Sequence, residues 1–172
     1  NLWLLDERLV FSHYIASDKV ISKKEHKEPD VVVFYNERMF FRNGENNITS
    51  PVTVIEFKRP KRTNYSKGEN PIMQALRYSR TILEGRYEMP DGIEPVKVSK
   101  QNTPVYVYIV CDIVPQIREL AETSNLTISP DNEGYFGYMS SYNAYVEIMS
   151  FKKVIDDATM RNKIFFYKLN LE

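Results

Sequence analysis

The 172-residue sequence contains few of the residues that define several common classes of protein. With only one cysteine, Cys111, an intrachain disulfide is excluded, and two histidines are too few to form a zinc cluster of familiar spacing with it. No apolar run approaches the roughly 18 residues that a membrane-spanning helix needs. Basic and acidic residues number 23 each, so the net charge is zero. This balance argues against non-specific coating of nucleic acid but not against a local basic patch.

What the sequence does contain is typical of a globular chain. Hydrophobic residues make up 42% and aromatic residues 13%, enough for one domain with a sizeable core over residues 1–172. The start lacks an initiator methionine and a signal peptide, so we expect a domain taken from a longer protein. Cys111 lies in an apolar stretch, which indicates a buried thiol in a reducing, cytoplasmic compartment.

The first half of the chain predicts one helix and three strands. Apolar periodicity predicts a helix over 2–16, and a polar connection follows at 17–28. Strong strands are predicted at 29–35 and 52–58, which are rich in β-branched residues, with a turn and a second, short strand over 36–43.

The second half begins with the clearest helix, which Asn70 caps and which ends at Gly85. Elements expected after it are a loop at 86–103, a strand at 103–113, a helix near 115–124, hairpin strands near 134–139 and 143–149, and a closing helix at 151–169. The expected fold class is therefore α/β (α+β), with a mixed central sheet flanked by helices.

Three polar residues stand at the ends of predicted core strands. Asp30 begins one strand, and Glu56 and Lys58 end another on the same face, because strand side chains alternate. If the intervening chain forms hairpins, the three groups converge. Two carboxylates with a backbone carbonyl suit Mg²⁺ or Mn²⁺, and a nearby lysine can orient or help deprotonate a water. Hydrolysis of a phosphodiester requires such a set.

These residues carry a resemblance to a known family. "PD" at 29–30 followed by "EFK" at 56–58 resembles the motif of the PD-(D/E)xK nuclease superfamily. In "QALRY", Gln74 and Tyr78 lie on one helix face and resemble the Q-x-x-x-Y element of RecB-like members. The resemblance covers residues 1–112 and implies a restriction-endonuclease-like αβββαβ core, to which the C-terminal hairpin and helix are added.

The resemblance implies a nuclease that hydrolyses DNA with a metal-bound water. Asp30 and Glu56 would ligate Mg²⁺ or Mn²⁺, and Lys58 would stand at the attacking water. Gln74 and Tyr78 would line the site and position the water or the phosphate.

Two further features of the sequence resemble known proteins outside this motif. Some superfamily members add an acidic residue from the first helix, for which Asp6 and Glu7 are both candidates here. The start and end of the chain, "NLWLLDERLVFSHYIASDK" and "RNKIFFYKL", are similar to domains that follow GHKL-type ATPase modules in bacterial MORC-like defence proteins. That similarity implies a role in phage defence and an ATPase domain in the same parent chain, and it leaves a homodimer open.

A basic stretch after the third strand is the candidate nucleic-acid surface. Its residues, with one from the following helix, are Arg59, Lys61, Arg62, Lys67 and Arg77. We expect DNA rather than RNA as partner and no membrane. Tyr65 is a candidate for stacking on a base, and Asp112 is expected to cap a strand end.

Simpler interpretations remain open for each of these residues. Glu56 and Lys58 also suit an exposed pair at a strand end, Asp30 a turn cap, and Gln74 with Tyr78 a helix-surface pair. Two rival functions follow: a catalytically inactive nuclease-fold module that binds nucleic acid or a partner protein, and a scaffold domain that binds no nucleic acid.

Overall fold

The computed structural model describes residues 5, 12–17, 29–35, 51–65, 69–85, 98 and 103–170. Within these residues one mixed sheet of seven strands is flanked by three α-helices. The strands are β1 (Ser12–Ser17), β2 (Val31–Tyr35), β3 (Val52–Phe57), β4 (Val105–Val110), β5 (Thr127–Ile128), β6 (Gly134–Met139) and β7 (Ala144–Met149). The helices are α1 (Pro71–Leu83), α2 (Pro115–Thr123) and α3 (Phe151–Lys168), with a 3₁₀ turn at Ser140–Tyr142.

The strand order in the sheet is β1-β2-β3-β4-β7-β6-β5. β1, β2 and β3 form an antiparallel meander, and β4 and β7 then run parallel to β3. β6 and β5 close the other edge in antiparallel pairing. Parallel pairing of β3 with β4 requires a crossover connection, and α1 lies in that connection.

Side-chain alternation along β3 divides the core between the two faces of the sheet. Val54 belongs to a buried cluster with Leu76 of α1, whereas Ile55 belongs to a second cluster with Val154 of α3. Helices α1 and α3 therefore cover opposite faces of the sheet. Every even-numbered residue of β3, Glu56 included, points toward the α1 side.

The helix predicted between Asn70 and Gly85 is confirmed as α1. The Asn70 side chain accepts a hydrogen bond from the Met73 N–H at 3.0 Å, and Pro71 occupies the first turn. Gly85 has a φ of +69°, the left-handed conformation that ends many helices and that glycine adopts without steric cost.

The remaining predictions for the second half also agree with the structure, apart from the loop at 86–103, most of which lies outside the described residues. The strand at 103–113 is β4, the helix near 115–124 is α2, the hairpin is β6 with β7, and the closing helix is α3. The mixed sheet flanked by helices is thereby confirmed, and Cys111 is buried as expected.

One prediction is wrong in part. The helix expected over 2–16 does not include residues 12–16, which belong to β1 and pair antiparallel with β2. Long-range ladder hydrogen bonds decide the conformation of such a short segment, whose Tyr14 and Ile15 favour strands. Apart from Leu5, residues 2–11 lie outside the described residues. So do residues 18–28 of the predicted connection, whose first residue, Ser17, instead ends β1, and the short strand expected over 36–43.

Candidate active site

The predicted catalytic residues of β3 meet α1 at the carboxyl end of the strand. Glu56 is the second-last residue of β3, and Lys58 is the first residue after the strand. The Lys58 Nζ donates a hydrogen bond of 2.6 Å to Glu56 Oε1 and one of 3.0 Å to Gln74 Oε1. The ammonium group thus joins the strand to the helix.

Asp30 lies beside Glu56 because of the register between β2 and β3. Val31 faces Ile55, so Asp30, one residue earlier, stands opposite Glu56. Opposite residues within a ladder have Cβ atoms about 4.5–5.5 Å apart. Asp30 lies just beyond the last pair, and its charge raises the pKa of Glu56, as expected of neighbouring carboxylates. The Phe57 N–H also donates to Asp30 Oδ2 at 2.5 Å, which fixes the aspartate against the Glu56–Phe57 peptide.

The helix contributes an amide and a phenol one turn apart. Gln74 Nε2 donates to the Tyr78 hydroxyl oxygen at 2.9 Å, while the amide oxygen of Gln74 accepts from Lys58. Burial raises the pKa of Tyr78, and the charges of Glu56 and Asp30 raise it further, against the opposing effect of the Gln74 hydrogen bond. The phenol therefore stays protonated in neutral solution.

Glu56 is a buried carboxyl with an incomplete set of partners. Only 3% of the residue is exposed, and this burial raises its pKa above 4.5. The hydrogen bond and charge of Lys58 oppose the shift, the charge of Asp30 adds to it, and the Asp30 backbone N–H opposes it. Oε2 is buried and accepts no hydrogen bond from any described residue. Such an orphaned acceptor is costly unless something else satisfies it.

The donor set fits a hard divalent cation with two protein carboxylates. Within the described ranges no group of three or more histidine, cysteine, aspartate or glutamate side chains is positioned to hold a metal. Asp30 and Glu56 would therefore ligate with backbone carbonyls or waters, an all-oxygen arrangement that Mg²⁺ and Mn²⁺ accept. Oε2 of Glu56 is the atom that such an ion would satisfy.

The predicted nucleic-acid residues divide into two groups. Arg59, Lys61 and Arg77 are exposed and form no ion pair with any residue that the structure describes. Arg62 instead forms an ion pair with Glu69 and lies over the Tyr65 ring, with its Cζ 4.4 Å from the ring centroid. Its charge is partly neutralised, so it is the weakest of the described candidates.

Two other expectations for this surface have different outcomes. Tyr65 does not present its ring to a base: it is 7% exposed and packs in the α1-side core, so that prediction is wrong. Burial also raises the pKa of Tyr65 to about 12. Lys67 lies outside the described residues, as do Asp6 and Glu7.

Sequence reasoning missed the long-range role of Asp112. Its Oδ2 accepts a hydrogen bond of 2.5 Å from the backbone N–H of Lys61, 51 residues earlier in the chain. The available signal was the position of Asp112 just after an apolar strand, because parallel neighbours end at the same edge of a sheet.

A separate open cleft of about 720 Å³ lies away from this site, at the other end of α1. It is lined by Arg80, Leu83, Tyr138, Ser140, Ser141, Tyr142 and Asn143. None of the predicted catalytic residues contributes to it.

Comparison of the chain with protein-family models, with curated proteins and with solved structures finds no match. In the part of the chain that the structure describes, no helix has both the length and the apolar character to cross a membrane.

Proposed function

We propose that this chain is a Mg²⁺- or Mn²⁺-dependent nuclease that hydrolyses phosphodiester bonds of DNA. The observation that carries the proposal is the buried Glu56 carboxyl: Oε2 accepts no hydrogen bond from any described residue, Lys58 donates to Oε1, and Asp30 accepts from the adjoining Phe57 N–H. A structural ion pair alone would not need a second carboxylate beside it.

The chain topology supports the proposal. An antiparallel β1-β2-β3 meander, the α1 crossover and a parallel β4 follow the order of the βββαβ part of a restriction-endonuclease-like core. Asp30 precedes the second strand of the meander, and the E-x-K residues end the third. The helix with Gln74 and Tyr78 comes next, as in RecB-like members of the superfamily.

Each residue has a chemical task in this proposal. Asp30 and Glu56 hold the cation, which when bound stabilises charge on the phosphate and lowers the pKa of water. Lys58 orients the attacking water through its ammonium protons and is itself fixed by Glu56 and Gln74. Tyr78 restrains the amide of Gln74 through their hydrogen bond.

The test is cleavage of labelled duplex DNA with Mg²⁺ or Mn²⁺ by the parent chain and by Glu56→Gln. We expect the variant to lose roughly 100-fold or more in rate, because it lacks a charged ligand. Glu119→Gln is the matched control. It makes the same change at an exposed carboxylate on α2, a helix that contains none of the predicted catalytic residues. Parent-like metal-dependent cleavage by Glu56→Gln would refute the proposal.

A second candidate is a catalytically inactive module of the same fold that binds nucleic acid or a partner protein. It is favoured by the Lys58 ammonium that already occupies Glu56 Oε1, and by the lack of a third acidic ligand among the described residues. Titration with Mn²⁺ separates the two candidates. If the chain is a nuclease, Mn²⁺ should raise the unfolding temperature of the parent but not that of Glu56→Gln. If it is an inactive module, it should bind DNA, and Mn²⁺ should affect the two proteins equally.

A further inference from the structure

The chain makes a tight turn immediately after Lys58. The Arg62 N–H donates to the Arg59 carbonyl at 3.3 Å, which closes a four-residue turn with Pro60 and Lys61 in the centre. Lys61 has a φ of +62°, typical of the third position of a type II turn, where glycine is usual. A lysine in this left-handed region is disfavoured, so surrounding contacts must hold it there.

Contacts on both sides hold this turn. The carboxylate of Asp112 accepts the Lys61 N–H from the end of the neighbouring strand. On the other side, the Arg62 Nε donates to the Asn64 carbonyl at 3.0 Å, and its guanidinium stacks on the buried Tyr65 ring. The turn is thereby tied to Asp112 beyond the end of β4 and to Tyr65 of the α1-side core.

These anchors leave the cationic side chains at the start of the turn available. The Asp112 contact uses only the backbone of Lys61, and the side chains of Arg59 and Lys61 are exposed without an ion pair to any described residue. Because the turn is already ordered, binding an anion costs little further backbone entropy. Its first residue is bonded directly to Lys58 of the candidate active site.

We propose that the Arg59–Arg62 turn is a preformed binding site for the backbone phosphates next to the bond that is cleaved, with Asp112 as a positioning residue. Arg59 and Lys61 supply the cations, which suit phosphate oxygens. The identity of the ligand as a DNA strand rests on the proposed function. The role of Asp112 is specific: an acidic residue strengthens binding to a polyanion because it holds the turn in shape.

The experiment measures binding rather than cleavage. Anisotropy of a short labelled DNA duplex is recorded with EDTA present, between about 50 and 200 mM salt. Asp112→Ala should weaken binding about fivefold and reduce the slope of log K against log salt by about 0.9, although the variant has gained positive net charge. Asp112→Asn should retain most of the affinity, because its amide oxygen can still accept from Lys61. Glu119→Ala, which removes a carboxylate that holds no backbone, should bind as tightly as the parent or slightly more tightly.

A second variant guards against misfolding of Asp112→Ala. Lys61→Gln keeps the backbone anchor and removes one cation, so its salt slope should also fall by about 0.9. Asp112→Ala binding as tightly as Glu119→Ala, or Lys61→Gln keeping the parent slope, overturns the proposal. So does a parent chain that binds no DNA at low salt.

Cleavage distinguishes failure of this inference from failure of the proposed function. If the parent binds DNA with the expected Asp112 effect but never cleaves it, the phosphate site stands and the nuclease proposal falls. If the parent cleaves DNA but Asp112→Ala binds DNA like the parent, the nuclease proposal stands and the phosphate site falls.

Discussion

Replacing Lys58 by methionine tests the electrostatics of the candidate site most directly. Lys58→Met keeps the aliphatic chain and removes the ammonium that donates to both Glu56 and Gln74. Glu56 then loses its side-chain donor, and Oε2 already lacks a hydrogen bond from any described residue. Breaking a fully buried ion pair costs about 3–5 kcal/mol. Lys58 is 11% exposed at its side chain, so we expect a smaller loss of unfolding free energy, about 2 kcal/mol near pH 8.

The pH dependence of this loss has a definite sign. Burial already raises the pKa of Glu56 in the folded chain above 4.5. A carboxyl with a raised folded pKa stabilises the fold while it is protonated, and that stability is lost as pH rises through the folded pKa. Removing Lys58 raises the pKa of Glu56 further, so the penalty should be small near pH 5 and largest near pH 8.

Urea unfolding of the parent, Lys58→Met, Glu56→Gln and the double variant at both pH values provides the measurement. The double variant should recover most of the loss at the higher pH, because the buried carboxylate of Glu56 is replaced by a neutral amide. Equal destabilisation by Lys58→Met at both pH values, with no recovery in the double variant, would refute the assignment of Glu56 as the buried charge that Lys58 compensates.

Two other substitutions test the packing around the site and the sheet. Tyr78→Phe removes the acceptor for Gln74 Nε2, so we expect about 1 kcal/mol less stability by urea unfolding and slower single-turnover cleavage; cleavage at the parent rate would mean that the phenol has no part in the site. Gly134→Ala places a Cβ 2.2 Å from the Ile148 carbonyl oxygen and should cost about 2–3 kcal/mol in thermal unfolding. Gly85→Ala is its control, because that Cβ meets no atom within 4 Å and only the left-handed φ opposes it. A smaller loss at Gly134 than at Gly85 would contradict the close approach of β6 to β7.

Local periodicity explains why part of the candidate site could be predicted. Glu56 and Lys58 share a face because strand side chains alternate, and Gln74 and Tyr78 share one because they are four residues apart in a helix. The structure brings these four residues into one hydrogen-bonded chain. Asp30 required the additional assumption of hairpin pairing, and the register of β2 with β3 supplies it.

What the sequence could not reveal depends on contacts between distant segments. The helix predicted over 2–16 failed at residues 12–16 because its apolar positions suit either structure, and pairing with β2 decides between them. Tyr65 follows a basic stretch yet packs in the α1-side core, and Gln116 of α2, 51 residues later, accepts its backbone N–H at 2.8 Å. The contact of Asp112 with Lys61 depends on the parallel register of β3 with β4.

The ladder between β3 and β4 continues past the last residue of β3, because the Lys58 N–H donates to the Val110 carbonyl at 2.8 Å. The backbone that holds Glu56 and Lys58 is therefore part of the central, parallel region of the sheet. Amide hydrogens in such a region exchange with solvent only through near-global opening. Heat or denaturant should then abolish the geometry of the site together with the whole fold, without an earlier, local melting step.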